Sequence, residues 1–252
     1  MRVALSPILA VATALTIVLA AILTDSSARS ESPSQPVLVE LFTSQGCYSC
    51  PPADRLLGRL VEEGAVVALA FHVNYWDRLG WPDPFATDWG TRRQHRYGET
   101  VSNRRVYTPQ LVIDGQAHEV GSNERGVRRA IAQAAATPHP ATPALGWAGP
   151  GRLRIALPDA AAAAGADIWI ARFDKRRETA ILRGENGGKR LAYHQIVRER
   201  VSLGRFDGRA QTLETDIPPG EARNWGVAVI VQAPGPGRVL GAALLDAPAP
   251  DA

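Results

Sequence analysis

A short proline-rich segment near the middle of the chain limits what its 252 residues can fold into. Residues 137–143 read Thr-Pro-His-Pro-Ala-Thr-Pro. Three prolines remove backbone donors and fix φ, so neither a helix nor a central strand can run through this segment. We therefore predict a linker at residues 138–143 that separates two halves of different organisation.

The two halves carry different periodic patterns. Before the linker, strands are predicted at 37–43, 66–73 and 111–113, and helices at 53–60 and 124–136. Alternation of this kind indicates an α/β layer fold. After the linker, short apolar runs recur between Gly and Pro turns, at 152–157, 167–173, 191–201, 211–217, 225–231 and 239–245. The sequence thus predicts an α/β domain over 36–137 and an all-β sandwich-like domain over 144–248.

The N-terminus has the pattern of a targeting segment. Residues 3–24 are nearly all apolar, follow one basic residue (Arg2), and lead into Ser26-Ser27-Ala28. This pattern predicts a signal peptide over residues 1–28 and a periplasmic or secreted protein. Since the apolar run is close to the ~20 residues that span a bilayer, an uncleaved anchor is the alternative.

Charge and motifs favour neither nucleic acid nor a bound nucleotide as a partner. The formal net charge is +3, and the densest basic cluster, Lys175-Arg176-Arg177, is flanked by Asp174 and Glu178. Such a cluster is typical of a solvated hairpin tip. Residues 184–188 are rich in glycine but lack the phosphate-binding pattern and a following helix. We predict no cofactor.

Cys47 and Cys50 are the only two cysteines, and they lie between a predicted strand and a predicted helix. A thiolate at a helix N-terminus has a lowered pKa and attacks disulfides near neutral pH. The pair therefore predicts a redox site, with Cys47 as the exposed attacking thiolate and Cys50 as the resolving thiol. The expected partners are protein thiols or disulfides.

Two other functions remain open for the same cysteines. A structural disulfide that closes a four-residue ring stabilises by only about 2 kcal/mol, but a non-catalytic binding module could retain one. Zinc normally takes four ligands, and no second Cys-X-X-Cys motif or His pair with metal spacing is present. A metal-handling protein that uses Cys47, Cys50 and His72 is the third possibility.

Four segments of the chain resemble a known family. They are residues 39–47, 50–54, 70–77 and 107–110, reading VELFTSQGC, CPPAD, AFHVNYWD and YTPQ. The chain resembles a bacterial secreted family called domain of unknown function 1223, which has a thioredoxin-like fold. The similarity extends to the C-terminal strands. It implies an α/β thioredoxin-like domain with Cys-X-X-Cys at the start of its first helix and a cis-proline facing it.

Pro109 and Glu40 are the further site residues that the resemblance implies. Pro109 precedes the strand 111–113, where a cis peptide keeps a backbone edge open for a substrate strand. An ordinary trans proline that opens an edge strand is the alternative. Glu40 lies seven positions before Cys47, and a partly buried acid in a similar place assists proton transfer in thioredoxin-like enzymes. It is predicted as a proton relay, although it could simply pair with an arginine.

His72 and the segment that follows it have weaker signals. His72 ends the predicted strand 66–73, where it could tune the thiolate or serve as a structural residue. Residues 74–86 contain Tyr75, Trp76, Trp81 and Phe85, interrupted by two prolines. This loop could line a substrate groove or pack two layers together.

Overall fold

The computed structural model describes residues 36–220 and 224–248, which form three helices and eleven strands. The helices are α1 (Pro51–Glu63), α2 (Asp88–Thr100) and α3 (Glu124–Ala135). The strands are β1 (Val37–Thr43), β2 (Val66–His72), β3 (Gln110–Ile113), β4 (Ala117–Val120), β5 (Ala144–Gly149), β6 (Arg152–Leu157), β7 (Asp167–Ala180), β8 (Arg190–Arg205), β9 (Gln211–Asp216), β10 (Trp225–Gln232) and β11 (Val239–Asp246). None of the helices in these ranges is long and apolar enough to cross a membrane.

One mixed sheet of eight strands runs through both halves of the chain, in the order β11-β10-β7-β8-β2-β1-β3-β4. Strands β1 and β2 are parallel, with Val37 opposite Val66 and Thr43 opposite His72. Strand β8 joins this unit in parallel beside β2, where Ala70 lies opposite Ile196. The remaining pairs are antiparallel. A second sheet has three strands, in the order β5-β6-β9.

Strand β1 is buried on both faces, which explains its nearly continuous apolar sequence. Val39 and Leu41 pack with α1 and α3 on one face. Leu38 and Phe42 pack on the opposite face with Tyr97 of α2 and with β7 and β10. Alternate side chains of β7 and β10 point to the three-stranded sheet and form a separate core.

The predicted fold class, an α/β thioredoxin-like domain followed by an all-β sandwich-like domain, is wrong. Most strands of the C-terminal half continue the sheet that begins with β1 and β2. The runs that predicted strands are strands in the structure, and β6 has the predicted bounds. Their assembly differs because β7 and β10 are apolar on both faces, so they can insert between two layers.

The proline-rich segment lies against the C-terminal strands. The Ala141 N–H donates to the Leu240 carbonyl at 2.9 Å, and Ala141 is fully buried. A Cβ at Gly241 would lie 2.2 Å from the Ala141 carbonyl oxygen, so only glycine allows this approach. His139 is buried and its Nε2 lies 2.7 Å from Asp114 Oδ2, just after β3. The segment is therefore part of the packed structure. The predicted signal peptide at 1–28 lies outside the described residues.

Candidate functional site

The site is centred on a disulfide between Cys47 and Cys50, whose Cα atoms are 5.4 Å apart. The two cysteines lie in the connection from β1 to α1, at the carboxyl end of a central strand. Both are fully buried, whereas Tyr48 between them is 68% exposed. The sequence predicted an exposed attacking cysteine, but in this oxidised form Cys47 is covered.

The first turn of α1 offers few free backbone N–H groups to a thiolate at Cys47. Pro51 and Pro52 have no N–H, and the N–H groups of Ala53 and Asp54 both donate to the Cys50 carbonyl. The helix dipole is therefore the main stabilisation that this turn offers to a thiolate at Cys47. The Ser49 hydroxyl lies 3.4 Å from Cys47 Sγ and can donate to a thiolate at that atom.

The Thr108–Pro109 peptide is cis, so the predicted cis bond is confirmed. The Ser49 hydroxyl donates to the Thr108 carbonyl at 3.5 Å, which places this peptide beside the cysteine loop. Trp76 Nε1 donates to the Thr108 hydroxyl at 2.8 Å. The structure therefore places the Thr108–Pro109 peptide beside the loop that carries Cys47 and Cys50, and the catalytic roles of these residues stay predictions.

Loop 181–189, which joins β7 to β8, covers the cysteine loop from the C-terminal half of the chain. The buried Asn186 side chain donates to the carbonyls of Gln45 and Cys47, both at 2.9 Å. The Tyr48 N–H donates to Glu185 at 3.0 Å. The Lys189 ammonium lies 4.8 Å from the centre of the Tyr48 ring, within cation–π range. These contacts place loop 181–189 against the backbone of the cysteine loop.

A cluster of buried polar side chains lies behind the disulfide. Asp54 follows Cys50 by four residues on α1 and accepts a hydrogen bond from the Thr43 hydroxyl at 2.8 Å. His72 Nδ1 lies 2.6 Å from Asp83 Oδ2, and the His72 and Tyr193 ring centres are 5.0 Å apart. Among the described residues, Asp54 Oδ2, His72 Nε2 and the Tyr193 hydroxyl have no hydrogen-bond partner. Three buried polar groups near one another thus keep unused bonding capacity, and one of them, Asp54, lies one helical turn from Cys50.

Burial changes the protonation of this cluster. It raises the pKa of Asp54 to about 7, against the opposing effects of His72 and the Thr43 hydrogen bond. Burial also raises the pKa of Tyr193, to which Asp54 and Asp83 add. Burial raises the pKa of Asp83, but His72 and the N–H groups of Gln45 and Phe85 lower it by more. The pKa of Asp83 is therefore below its ordinary value. Asp54 is therefore the carboxyl that changes charge near neutral pH.

Glu40 lies on the other face of the sheet. Alternation along β1 directs Glu40 to the same face as Leu38 and Phe42, whereas Thr43 faces α1. Arg93 Nε donates to Glu40 Oε1 at 2.6 Å, and the Tyr97 hydroxyl also donates to this carboxylate. The structure thus pairs Glu40 with an arginine and does not bring it to the cysteines. Its relay role stays a prediction.

The aromatic loop 74–86 surrounds the site. Trp81 Nε1 donates to Gln45 Oε1 at 2.9 Å, and the Gln45 N–H donates to Asp83 Oδ2 at 2.8 Å. Phe85 packs edge-on against His72 and Tyr193. The loop thus packs the layers together around the cysteine connection. Among the described residues, no group of three or more His, Cys, Asp or Glu side chains is placed to hold a metal ion.

Sequence reasoning missed Asp54, Asp83, Asn186 and Tyr193. Asp54 had a usable signal, because it lies on the apolar face of α1, three residues before Leu57, where a carboxyl is unexpected. Asn186 had no local signal, since its partners lie 139 and 141 residues away.

Fold and site define a protein of mixed-sheet architecture with a Cys-X-X-Cys disulfide where a central strand meets a helix. The chain belongs to the family described as "Protein of unknown function (DUF1223)", which it matches over residues 38–232. The resemblance to this family noted in the sequence is thereby confirmed.

Two solved structures are similar over most of the chain. Protein AGR_C_4864 from Agrobacterium tumefaciens is 31% identical, with a TM-score of 0.74, over 86% of this chain and 96% of that protein. HBP35 of Porphyromonas gingivalis is 14% identical, with a TM-score of 0.61, over 85% of this chain and 76% of that one, and shows likeness of fold alone. No curated protein matches the chain.

Proposed function

We propose that the protein is a thiol–disulfide oxidoreductase that acts through Cys47 and Cys50. The observation that carries the proposal is Asp54, a buried carboxyl with a pKa of about 7 that lies one helical turn behind Cys50. Side chains four residues apart on a helix have Cβ atoms about 5–6 Å apart. A buried carboxyl that exchanges its proton near neutral pH at this position suits a thiol that must lose its proton during disulfide exchange.

The proposed reaction has two steps. In the reduced protein, the Cys47 thiolate attacks a substrate disulfide, forms a mixed disulfide and releases one substrate sulfur as a thiolate. Cys50 then gives its proton to the Asp54 carboxylate and attacks the Cys47 sulfur. This step forms the Cys47–Cys50 bond, breaks the mixed disulfide and releases the second substrate thiolate. Two electrons pass from the dithiol to the substrate, and the reverse sequence oxidises a substrate dithiol.

Protein thiols or disulfides in an exported compartment are the proposed substrates. The signal-like N-terminus supports export, and disulfides persist in the periplasm or outside the cell. Cell fractionation, with detection of the mature N-terminus by mass spectrometry, tests this placement. A mature N-terminus near residue 29 in the periplasmic fraction supports it, and intact protein in the cytosol contradicts it.

A binding module with a structural disulfide is the second candidate, and the burial of both cysteines favours it. Since both cysteines are fully buried, a substrate reaches a sulfur atom only after neighbouring segments move. The two functions make opposite predictions for single cysteine variants.

Trapping of partner proteins distinguishes the two candidates. With Cys50→Ser, the mixed disulfide on Cys47 cannot be resolved, so covalent adducts that dissolve in reductant are expected on non-reducing gels. With Cys47→Ser, we expect far fewer adducts, because Cys50 caps α1 whereas Cys47 lies in the turn before the helix. Negligible trapping by both variants, with fully oxidised wild type, would support the binding module.

A kinetic comparison tests the role of Asp54 within the same reaction. Asp54→Asn keeps an acceptor for the Thr43 hydroxyl but removes the base, so resolution of a preformed Cys47 mixed disulfide should slow by about 100-fold. Glu40→Gln is the matched carboxyl-to-amide change on the opposite face and should leave this rate unchanged. If Glu40→Gln slows resolution and Asp54→Asn does not, the relay is Glu40, as the sequence predicted.

A further inference from the structure

An open depression of about 670 Å³ lies between residues 104–107 and β4. Its lining includes the consecutive residues Arg104, Arg105, Val106 and Tyr107, together with Val120 of β4. Tyr107 directly precedes Thr108, whose carbonyl accepts the hydrogen bond from Ser49 between the two cysteines. One end of the depression is therefore one residue along the chain from the peptide that neighbours the cysteine loop.

Two further depressions extend this one along α2. A depression of about 500 Å³ shares Arg104 and Val106 with the first and adds His95. A third, of about 480 Å³, shares His95 with the second and contains Arg92, Arg96 and Arg200. Adjacent depressions share lining residues, so together they form a continuous path from Tyr107 to Arg200 of β8.

Five arginines along this path, here called the arginine track, are exposed: Arg92, Arg96, Arg104, Arg105 and Arg200. Within residues 36–220 and 224–248, none of the five forms an ion pair with a carboxylate. Arg93 beside them is neutralised by Glu40. Burial, Arg93 and Arg96 lower the pKa of Arg200, against smaller opposing effects of Asp167 and Glu40. The carboxylates in the linings are Glu99 and Glu119. The arginine track thus produces a concentrated positive potential on a protein of small net charge.

The backbone at Asn103 and Arg104 adopts an unfavourable conformation. Arg104 and Asn103 have φ of 62° and 51°, a left-handed region that costs a side chain such as arginine about 1–2 kcal/mol. The loop is kept in this form by the Arg104 N–H bond to the Gly98 carbonyl and by the Ser102 hydroxyl bond to the Arg105 carbonyl, both 2.6 Å. These hydrogen bonds therefore hold the Arg104 backbone in a conformation that an unconstrained loop rarely adopts.

We propose that the first depression and the arginine track bind an extended acidic segment of the protein whose cysteines react at Cys47. The inference rests on the proposed function and names its substrate class. Arginine side chains bind carboxylates in bidentate geometry, while Val106, Tyr107 and Val120 provide apolar contact. Charge complementarity of this kind raises the association rate and selects acidic partners over basic ones.

A polypeptide fits this surface better than a lipid headgroup does. The depression lies along β4, which is the last strand at its edge of the sheet, and an extended peptide can pair with such an edge.

Binding of a labelled peptide without cysteine tests the inference apart from thiol exchange. The probe alternates Glu with Leu or Phe, and its matched control replaces Glu by Gln. Fluorescence anisotropy should give at least about tenfold tighter binding of the acidic probe, weakened by salt. Arg104→Glu with Arg105→Glu should abolish this preference. Arg125→Glu with Arg129→Glu, an equal charge change at exposed positions of α3 on the opposite face of the sheet, should change it less than about twofold.

Each outcome separates the two proposals. Selective binding of the acidic probe by a protein that traps no partners supports the track and contradicts the oxidoreductase. Trapping without a preference for the acidic probe, or equal loss with both pairs of variants, overturns the track. If vesicles of phosphatidylglycerol bind through Arg104 and Arg105 while the peptide does not, the surface recognises lipid and the inference is wrong.

Discussion

Asp54 combines two properties that conflict in a purely structural residue. It is almost fully buried, and one of its carboxylate oxygens has no hydrogen-bond partner among the described residues. A buried carboxylate with unsatisfied bonding capacity is costly, so the folded protein favours its protonated form. Arg93 and Glu40, on the opposite face, show the alternative, in which a buried carboxylate is matched by a bidentate partner.

The raised pKa of Asp54 has a consequence for stability. Its folded pKa of about 7 exceeds the ordinary 3.8, so the folded state binds this proton more tightly than the unfolded state. The stabilisation is fully present below about pH 4 and is lost as pH rises through about 7, at most about 4 kcal/mol. Urea unfolding of wild type across this range should show the loss, and Asp54→Asn should lack it. Asp159→Asn, on the surface, should behave as wild type, and a parallel loss in Asp54→Asn would contradict the assignment.

At the scale of elements, local patterns predicted the strands but not their neighbours. The bounds of β1 and β6 and the strand–cysteine–helix connection follow from apolar periodicity and proline positions. The extension of β7 and β8 beyond the core does not, because their distal residues alternate between exposed and half-buried positions and are polar. Periodicity identifies a buried face but not the residues that cover it, so the contact of Asn186 with Gln45 could not be predicted.

Loop 181–189 should control access to the disulfide. Asn186→Ala removes two hydrogen bonds to the buried carbonyls of Gln45 and Cys47, which should cost about 1–3 kcal/mol in the free energy of unfolding. Because the loop is then released from the cysteine connection, reduction of the disulfide by dithiothreitol should be about five- to tenfold faster, a change equivalent to about 1 kcal/mol. Arg183→Ala, an exposed change in the same loop, is the control. Unchanged reduction in Asn186→Ala would show that the loop does not limit access.

At the scale of the whole molecule, the two sequence halves share one core. Leu38 and Phe42 of β1 belong to the same buried cluster as Trp169, Phe173 and Ile230 of the C-terminal half. Polar contacts also join the two halves, since Gln232 of β10 accepts a hydrogen bond from Arg93 of α2 at 3.0 Å. The change in sequence pattern at the prolines therefore marks a change in strand content and not the end of a core.

This shared core predicts that residues 36–143 do not fold alone. The fragment lacks the large apolar side chains of the C-terminal half that complete the cluster: Trp169, Phe173, Val197, Ile230 and Val239. At about 2 kcal/mol each, their loss removes about 10 kcal/mol, comparable with the whole stability of a domain. Circular dichroism and urea titration should show no cooperative transition for the fragment, whereas residues 36–252 should unfold cooperatively. Mixing fragments 36–143 and 144–252 should restore the transition. Cooperative unfolding of monomeric 36–143 would instead support the domain boundary predicted from the sequence.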